Sequence, residues 1–542
     1  MSAAMVSSAA GSPQDTAQGR RPGWHLLPRT PVGQVIAAAT VLALVLRVYQ
    51  LARPGVLLGV AWYDDGVYFG SALRLAHGVL PYRDFIFAQP PGITLLLTPV
   101  ALLAKVTGTA WGMAIARILT LLASTAAVVL GGLLVRHRGL AAVIVTCGLL
   151  AVYPTSVTDT RTIFLEPWVA MFCLAGALAV FDGDRLAGGG RLLWGGVLFG
   201  FAGAVESFAV IPVLVVLALA LPRPRTAGVY LGGVAAGFLV PVLPFAALAP
   251  QRFYQSVFVA QLVRYNQQRV TVWTRLQDMT GLNYVVHPSH LLLVLATLII
   301  VAFVAAALAG AWMLTHRPPP PLEWFAVVTT ALIVVVFMWP PGFFFHFPGF
   351  LAPFLALSIA LPGSRLLAAA RPVTDRPSGA GRWPQWIAAG LACLAIGIGA
   401  VIQASSETAY APRVGPKAIA AVRRAVPAGA CVLTDQVSFT IAANRFASTA
   451  AGCPEMIDAL GTDYALSPGR DGLNGAGKVA AVAAVMRNAF AHAQYVWLAG
   501  TYNRRRIAWT PALEAYFHQN FVRVLTDNKG DALWVRKGPR VD

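Results

Sequence analysis

Two adjacent carboxylates, Asp64 and Asp65, are the residues of this sequence best suited to acid–base chemistry. They follow a long apolar segment and precede an amphipathic one, within the stretch WYDDGVYFG at positions 62–70. An ionised acid at the lipid boundary can act as a general base. Aspartate is also favoured at the N-cap of a helix, where its side chain accepts backbone N–H bonds. The spacing alone leaves both interpretations open.

Most other acids in the apolar part of the chain fall in segments that we predict to face one side of a membrane. Carboxylates near the membrane core are energetically costly, so a set of them on one face indicates a functional site. Within this set, Asp159 and Asp278 are expected to cap loops. The set consists of Asp64, Asp65, Asp84, Asp159, Glu166, Glu206 and Asp278.

Three arginines alternate with aromatic residues in the long loop at 250–290. Arginine can hold phosphate oxygens through paired hydrogen bonds, and aromatic rings suit both the headgroup region and the face of a sugar. Arginines at this depth can equally serve as anchors at an anionic lipid surface. The arginines are Arg264, Arg269 and Arg275, and the aromatic residues are Tyr265, Trp273 and Tyr284.

The composition predicts the kind of scaffold that positions these residues. The chain has 542 residues, of which 57% are hydrophobic and 12% charged, and its mean hydropathy is +0.66. Soluble domains carry roughly 25% charged residues, so we predict an integral membrane protein and exclude a disordered chain, a disulfide-rich module and a coiled coil. The net charge of +19 comes from scattered Lys and Arg residues. We interpret it as the basic bias of cytoplasmic loops, not as a nucleic-acid surface.

Hydrophobic length and loop charge together predict the topology. A bilayer needs about 20 apolar residues per helix, and basic loops stay in the cytoplasm, which gives about eleven transmembrane helices here. The stretch Pro90 to Val106 is predicted to be interfacial or re-entrant, because counting it as a span would place the basic residues at 136–138 outside. The N-terminus is then predicted inside and the C-terminus outside a plasma membrane.

Three regions follow from this pattern: a cytoplasmic segment at 1–31, a transmembrane domain at 32–403 with a first outer loop at 52–110, and a soluble domain at 404–542. The last region alternates short β-rich and helical stretches, which is typical of an α/β domain. We predict strands at 430–434, 495–499 and 532–535 and helices at 416–425 and 477–493. Cys431 and Cys453 fall in it and can pair if it lies outside the cytoplasm. The sequence leaves that pairing open.

The first outer loop resembles that of the GT-C glycosyltransferases, in particular the protein O-mannosyltransferase-like and aminoarabinose-transferase-like branch. The resemblance rests on the acidic pair, a Tyr four residues after its first acid, a Gly-x-x-Pro-Tyr turn at 78–82 and a Pro-Pro helix start at 90–91. It implies a GT-C-like transmembrane fold with Asp64 as the catalytic base and Asp65 as its neighbour. It also implies a polyprenyl-phosphate sugar donor and an active site open to the outer face.

Further positions resemble the same family. Arg117 stands where an Ala-Arg-Leu-type helix start is expected, and Arg161 with Glu166 resembles a second acidic motif. From this resemblance we expect Glu166 to be catalytic, together with Asp64 and Asp65, and Arg117 and Arg161 to bind the donor. His346 resembles a late aromatic-His-aromatic loop. By itself, His346 can be a structural residue or a contact to phosphate or metal.

The sequence therefore predicts an inverting glycosyltransferase that moves mannose, or another hexose or pentose, from a polyprenyl-phosphate donor to an acceptor hydroxyl on the outer face. Gln89 and Glu206 are assigned to donor binding, although many relatives carry Lys at these positions, which weakens the expectation of the same phosphorylated donor. The acceptor is expected to be an envelope glycan, lipid or protein, and a divalent cation is left open as cofactor. The alternatives are a multi-pass lipid or glycan transporter or flippase, and a non-catalytic subunit of envelope assembly. The sequence carries no Gly-x-x-x-x-Gly-Lys-Ser/Thr loop, so a lipid-linked donor is favoured over a nucleotide sugar.

Overall fold

The computed structural model describes residues 30–263, 269–282, 288–370, 383–408, 410–467, 477–500 and 506–538. The first part of the chain is built from apolar helices and a short β-hairpin. Its elements are α1 (Pro31–Ala52), α2 (Asp64–Ala76), α3 (Gly92–Thr107), α4 (Thr109–Val135), α5 (Leu140–Val152), α6 (Pro154–Thr158), α7 (Glu166–Val180), β1 (Phe181–Asp182), β2 (Arg185–Leu186), α8 (Gly189–Val205), α9 (Val210–Ala220), α10 (Pro224–Leu248), α11 (Pro250–Tyr254), a π-helical turn (Gln255–Val259), α12 (Ala260–Val263), α13 (Val272–Thr280), α14 (His290–Thr315), α15 (Pro321–Met338), α16 (Pro348–Ala369) and α17 (Trp383–Thr408).

Seven of the described helices are long and apolar enough to cross a membrane. An eighth span results if α5, α6 and the turn that follows them are counted as one helix with a 55° bend. These spans confirm the prediction of a multi-pass membrane protein. Our count of about eleven additionally requires that the shorter apolar helices α7, α8 and α9 cross the membrane, and it stays a prediction. The helix α3, which covers most of Pro90 to Val106, is also too short to count among the seven.

The predicted first outer loop folds into α2 and α3, which pack against each other. Within this loop, the Ser71 and Thr94 hydroxyls are hydrogen-bonded at 2.7 Å. The start of α3 lies directly on the end of α8: a Cβ atom on Gly92 would be 2.4 Å from the carbonyl oxygen of Ala204. Only glycine permits this approach, which brings the segment after Gln89 close to the turn at Glu206.

The remaining residues form an α/β unit. Its sheet has the order β3-β4-β6-β5, with β3 and β4 parallel and the other pairs antiparallel. Cys431 and Cys453 form a disulfide bond, with their Cα atoms 5.5 Å apart. The elements are α18 (Pro416–Ala425), β3 (Val432–Thr434), α19 (Ser438–Ala442), α20 (Ala459–Leu466), α21 (Ala480–His492), β4 (Tyr495–Leu498), α22 (Pro511–Asn520), β5 (Phe521–Thr526) and β6 (Ala532–Arg536).

The α/β unit packs directly on the first outer loop. Phe439 and Ile441 of α19 belong to the same buried apolar cluster as Phe69 of α2. At the start of α4, the backbone N–H of Ala110 donates to Asn444 Oδ1 at 2.9 Å. The helix α17 runs to Thr408, past the domain boundary that we predicted at 404, and that boundary stays a prediction. The two parts therefore share one core around α2.

Candidate active site

The two carboxylates of the acidic pair at the start of α2 differ in burial. Asp65 is fully buried, whereas Asp64 is partly exposed at the first position of the helix. Asp65 Oδ1 accepts hydrogen bonds from Thr162 Oγ1 at 2.5 Å and from the Ile163 N–H at 2.7 Å. Both atoms come from the loop before α7. Asp65 therefore joins α2 to that loop, and Asp64 is the carboxylate that a ligand can reach.

Arg117, on α4, is the counter-ion of Asp65. Its Nη2 donates to Asp65 Oδ2 at 2.5 Å, and both side chains are completely buried. Its Nη1 donates to the carbonyl oxygens of Val56, Leu57 and Gly59 at 3.0, 2.7 and 2.9 Å. Through these hydrogen bonds, Arg117 holds the segment between α1 and α2 in place. The structure thus places Arg117 behind the acidic pair, next to Asp65.

Glu166 and His346 meet at the start of α7, although 180 residues separate them in sequence. His346 Nδ1 lies 2.7 Å from Glu166 Oε1, and the imidazole stacks on Phe164 with ring centroids 4.3 Å apart. Burial lowers the pKa of this imidazole, but the negative charge of Glu166, reinforced by Asp64 and Glu206, outweighs it and raises the pKa above its usual value. The structure therefore brings three predicted acids around His346, which carries a positive charge more readily than a solvent-exposed histidine.

Asp159, which the sequence suggested as a loop cap, is buried behind Glu166. Neither of its carboxylate oxygens has a hydrogen-bond partner among the described residues. A Cβ atom on Gly349 would lie 2.1 Å from Asp159 Oδ2, so the backbone at the start of α16 packs closely against this carboxylate. A small cavity lies next to it, lined by Ser124, Ser156 and neighbouring apolar residues. Asp159 thus belongs to the acidic group as a buried member.

Two further predicted arginines are occupied by internal partners. Arg161 forms an ion pair with Glu407 near the end of α17 and lies 4.3 Å above the ring of Tyr410. Arg275 is 1% exposed, and its Nη2 donates to the carbonyl oxygens of Pro340 and Pro341 at 2.5 and 2.7 Å. It therefore fixes the turn that leads to His346.

The other predicted donor-binding residues differ in exposure. Arg269 is exposed, and Arg264 lies outside the described residues. Glu206 is partly exposed, and its Oε1 accepts the backbone N–H of Ser207 at 3.1 Å. Gln89 is buried, and its Oε1 has no hydrogen-bond partner within the described part of the chain. Arg269 is thus the predicted arginine that the structure shows at the surface.

Several residues of this region could not be assigned from the sequence. Glu407 is the partner of Arg161 across 246 positions, and the only sequence signal for it is an acid at the end of an apolar helix. Tyr63 belongs to the acidic stretch at 62–70, yet no local sequence pattern indicates its contacts with Asp458 and Arg506 of the soluble unit. Such long-range pairs become visible only in the folded chain.

Comparison with known proteins supports a glycosyltransferase. Residues 87–341, slightly less than half of the chain, match the model of Glycosyltransferase family 87. A search of curated proteins gives no match.

Solved structures show the fold. ArnT from Cupriavidus metallidurans in the apo state superimposes with a TM-score of 0.57 at 13% identity, over 94% of this chain and 99% of that one. The same protein bound to undecaprenyl phosphate gives 0.55 at 13% identity, with the same coverage. The oligosaccharyltransferase AglB from Archaeoglobus fulgidus, in complex with an inhibitory peptide and a dolichol-phosphate, gives 0.51 at 15% identity, over 94% of this chain and 75% of that one. The prediction from the first outer loop is confirmed: this chain is a multi-pass membrane glycosyltransferase with the GT-C fold.

Proposed function

We propose that this enzyme transfers a sugar from a polyprenyl-phosphate donor to an acceptor hydroxyl on the outer face of the plasma membrane, with Asp64 as general base. The observation that carries the proposal is the division of the acidic pair. Asp65 is completely buried and held by Arg117, Thr162 and Ile163, whereas Asp64 is partly exposed and its negative charge raises the pKa of His346. A base must reach the proton that it abstracts, and Asp64 meets this condition.

In this mechanism the acceptor oxygen attacks the anomeric carbon of the sugar from the side opposite the phosphate. The new carbon–oxygen bond forms while the bond to phosphate breaks, so the configuration at the anomeric carbon inverts. The acceptor proton passes to Asp64, and polyprenyl phosphate leaves with the bonding electrons. Charge that develops on the departing phosphate needs a positively charged group nearby.

His346 is well suited to that electrostatic role. It is the histidine at the centre of the acidic group, and its raised pKa favours the charged form. Arg269 supplies a second, exposed cation. Arg117, Arg161 and Arg275 instead act on the site through the segments that they hold.

Three further observations support the donor and the orientation. ArnT was solved with undecaprenyl phosphate and AglB with a dolichol-phosphate, both lipid phosphates. The disulfide between Cys431 and Cys453 is typical of an oxidising compartment, which agrees with an extracytoplasmic soluble domain. The sugar is proposed to be mannose or another hexose or pentose, and the acceptor an envelope glycan, lipid or protein.

A bound divalent cation requires several carboxylate, imidazole or thiolate ligands close together. Among the described residues, no three His, Cys, Asp or Glu side chains are grouped as a metal site. Glu166 and His346 are hydrogen-bonded to each other.

The proposal is tested with the purified protein in liposomes that contain undecaprenyl-phosphate mannose or undecaprenyl-phosphate arabinose, with an envelope extract as the source of acceptor. We expect release of undecaprenyl phosphate, together with sugar in the acceptor fraction and an inverted anomeric configuration. GDP-mannose serves as the control and should not be consumed. Movement of intact donor across the bilayer without cleavage would instead identify a flippase and contradict the proposal.

Arg269 gives a prediction on donor binding. Arg269→Ala should weaken binding of undecaprenyl phosphate about fivefold, since one cation near an anionic headgroup contributes roughly 1 kcal/mol. Binding is measured by quenching of tryptophan fluorescence at low ionic strength. Arg317→Ala is the matched control, because Arg317 is also exposed but follows the opposite end of α14. Equal affinities of the two variants would favour simple membrane anchoring by Arg269.

A further inference from the structure

Tyr63, the residue directly before Asp64, is hydrogen-bonded to the soluble unit. Its hydroxyl donates to Asp458 Oδ1 at 2.7 Å and accepts from the Leu460 N–H at 3.3 Å. The guanidinium of Arg506 lies 4.7 Å above its ring. The side chain next to the proposed base is therefore fixed at its tip and on one face.

The groups that hold Tyr63 are themselves fixed. Asp458 is the N-cap of α20, where the same Oδ1 accepts the Gly461 N–H at 2.7 Å. Arg506 Nη1 donates to Gln436 Oε1 at 2.7 Å. Burial and the neighbouring Asp458 both raise the pKa of Tyr63 well above its usual value, so its hydroxyl remains a donor at neutral pH. The contact is thus a stable anchor between two segments distant in sequence.

The first turn of α2 is enclosed from two directions. A Cβ atom on Gly66 would be 2.1 Å from the backbone nitrogen of Ser438, so α2 touches the start of α19 with no room for a side chain. Trp62, one residue before Tyr63, contacts Phe345 of the His346 loop, with ring centroids 4.7 Å apart. Asp64 thus follows two residues that are anchored on different parts of the protein.

We propose that Tyr63 is a positioning residue for Asp64. In this proposal the soluble domain orients the Asp64 side chain through the Tyr63–Asp458 hydrogen bond and the Arg506–Tyr63 contact. This inference rests on the proposed role of Asp64. It gives the soluble domain a part in catalysis that does not depend on binding the acceptor. Small errors in the placement of a catalytic group can reduce a rate by about 100-fold.

The test is Tyr63→Phe, which removes only the hydroxyl. We expect transfer from undecaprenyl-phosphate mannose to fall about 10- to 100-fold, while undecaprenyl phosphate binds with unchanged affinity and the thermal unfolding midpoint stays near that of the wild type. Tyr254→Phe is the matched control, because Tyr254 is 58% exposed. A parallel loss of rate, affinity and thermal stability would show a general structural role and overturn the proposal.

Two changes at Asp458 separate the anchor from other effects. Asp458→Asn keeps an oxygen for Tyr63 and a good N-cap for α20, so it should retain most of the activity. Asp458→Ala should resemble Tyr63→Phe, and the double variant should be little worse than either single one, because both remove the same contact. Should Asp458→Ala fail to fold, Tyr63→Phe and Asp458→Asn still decide the question.

Failure of this inference can be distinguished from failure of the proposed function. Wild-type rates in Tyr63→Phe, together with an inactive Asp64→Asn, would refute positioning by Tyr63 and leave Asp64 as the base. Wild-type rates in both variants would refute the proposed base, and the positioning role with it.

Discussion

Replacing Asp65 with asparagine should lower the free energy of unfolding by about 3 to 5 kcal/mol, because it leaves the buried charge of Arg117 without its counter-ion. The new amide would also place an N–H group or a neutral oxygen where Arg117 Nη2 now meets a carboxylate. The hydrogen bonds to Val56, Leu57 and Gly59 connect this pair to the segment before α2. We therefore expect loss of both stability and activity.

The measurement is thermal unfolding in detergent, monitored for several variants. Asp182→Asn is the control: Asp182 also pairs with an arginine, Arg191, but its side chain is 77% exposed, and exposed pairs contribute only about 0 to 1 kcal/mol. Combining Asp65→Asn with Arg117→Gln should cost less than the sum of the two single changes, because the charges disappear together. An Asp65→Asn protein as stable as the Asp182→Asn protein would contradict this account of the pair.

The sequence predicted much of the scaffold. Apolar length and loop charge indicated a multi-pass membrane protein, and the change in composition near the last span indicated an α/β region. The helix predicted at 416–425 has the observed bounds of α18. The strand β5 was missed because its side chains are mostly exposed, which removes the alternating pattern that marks a half-buried strand. The short helices α19 and α20 have too few turns for a periodic pattern.

The sequence indicated the residue types of the candidate site, but it did not indicate which of these residues are held by tertiary contacts. Asp64 and Asp65 are neighbours in sequence, yet Asp65 is completely buried against Arg117 and Thr162, whereas Asp64 is partly exposed. Arginine spacing likewise favoured a phosphate site, whereas Arg275 is occupied by backbone carbonyls. Sequence spacing reports which groups are available, and only tertiary contacts report which of them are already satisfied.

Replacing Asp64 with asparagine should reduce turnover by about 100- to 10,000-fold, or roughly 3 to 5 kcal/mol in the barrier. Asparagine keeps the size of the side chain and much of its hydrogen bonding but does not take up the acceptor proton. Asp64 is only partly buried, and the ion pair behind it remains intact, so the folded state should be preserved. Donor binding should also persist, because the carboxylate makes its main contribution in the transition state.

The most direct test is a single-turnover assay of Asp64→Asn and wild-type protein in liposomes with saturating undecaprenyl-phosphate sugar and envelope acceptor. Undecaprenyl phosphate released per enzyme is measured over time, and binding of undecaprenyl phosphate is measured on the same preparations. We expect both proteins to bind undecaprenyl phosphate equally and the variant to release it at least about 100-fold more slowly. A release rate equal to that of the wild type, in a normally folded Asp64→Asn protein, would contradict the assignment of Asp64 as the catalytic base.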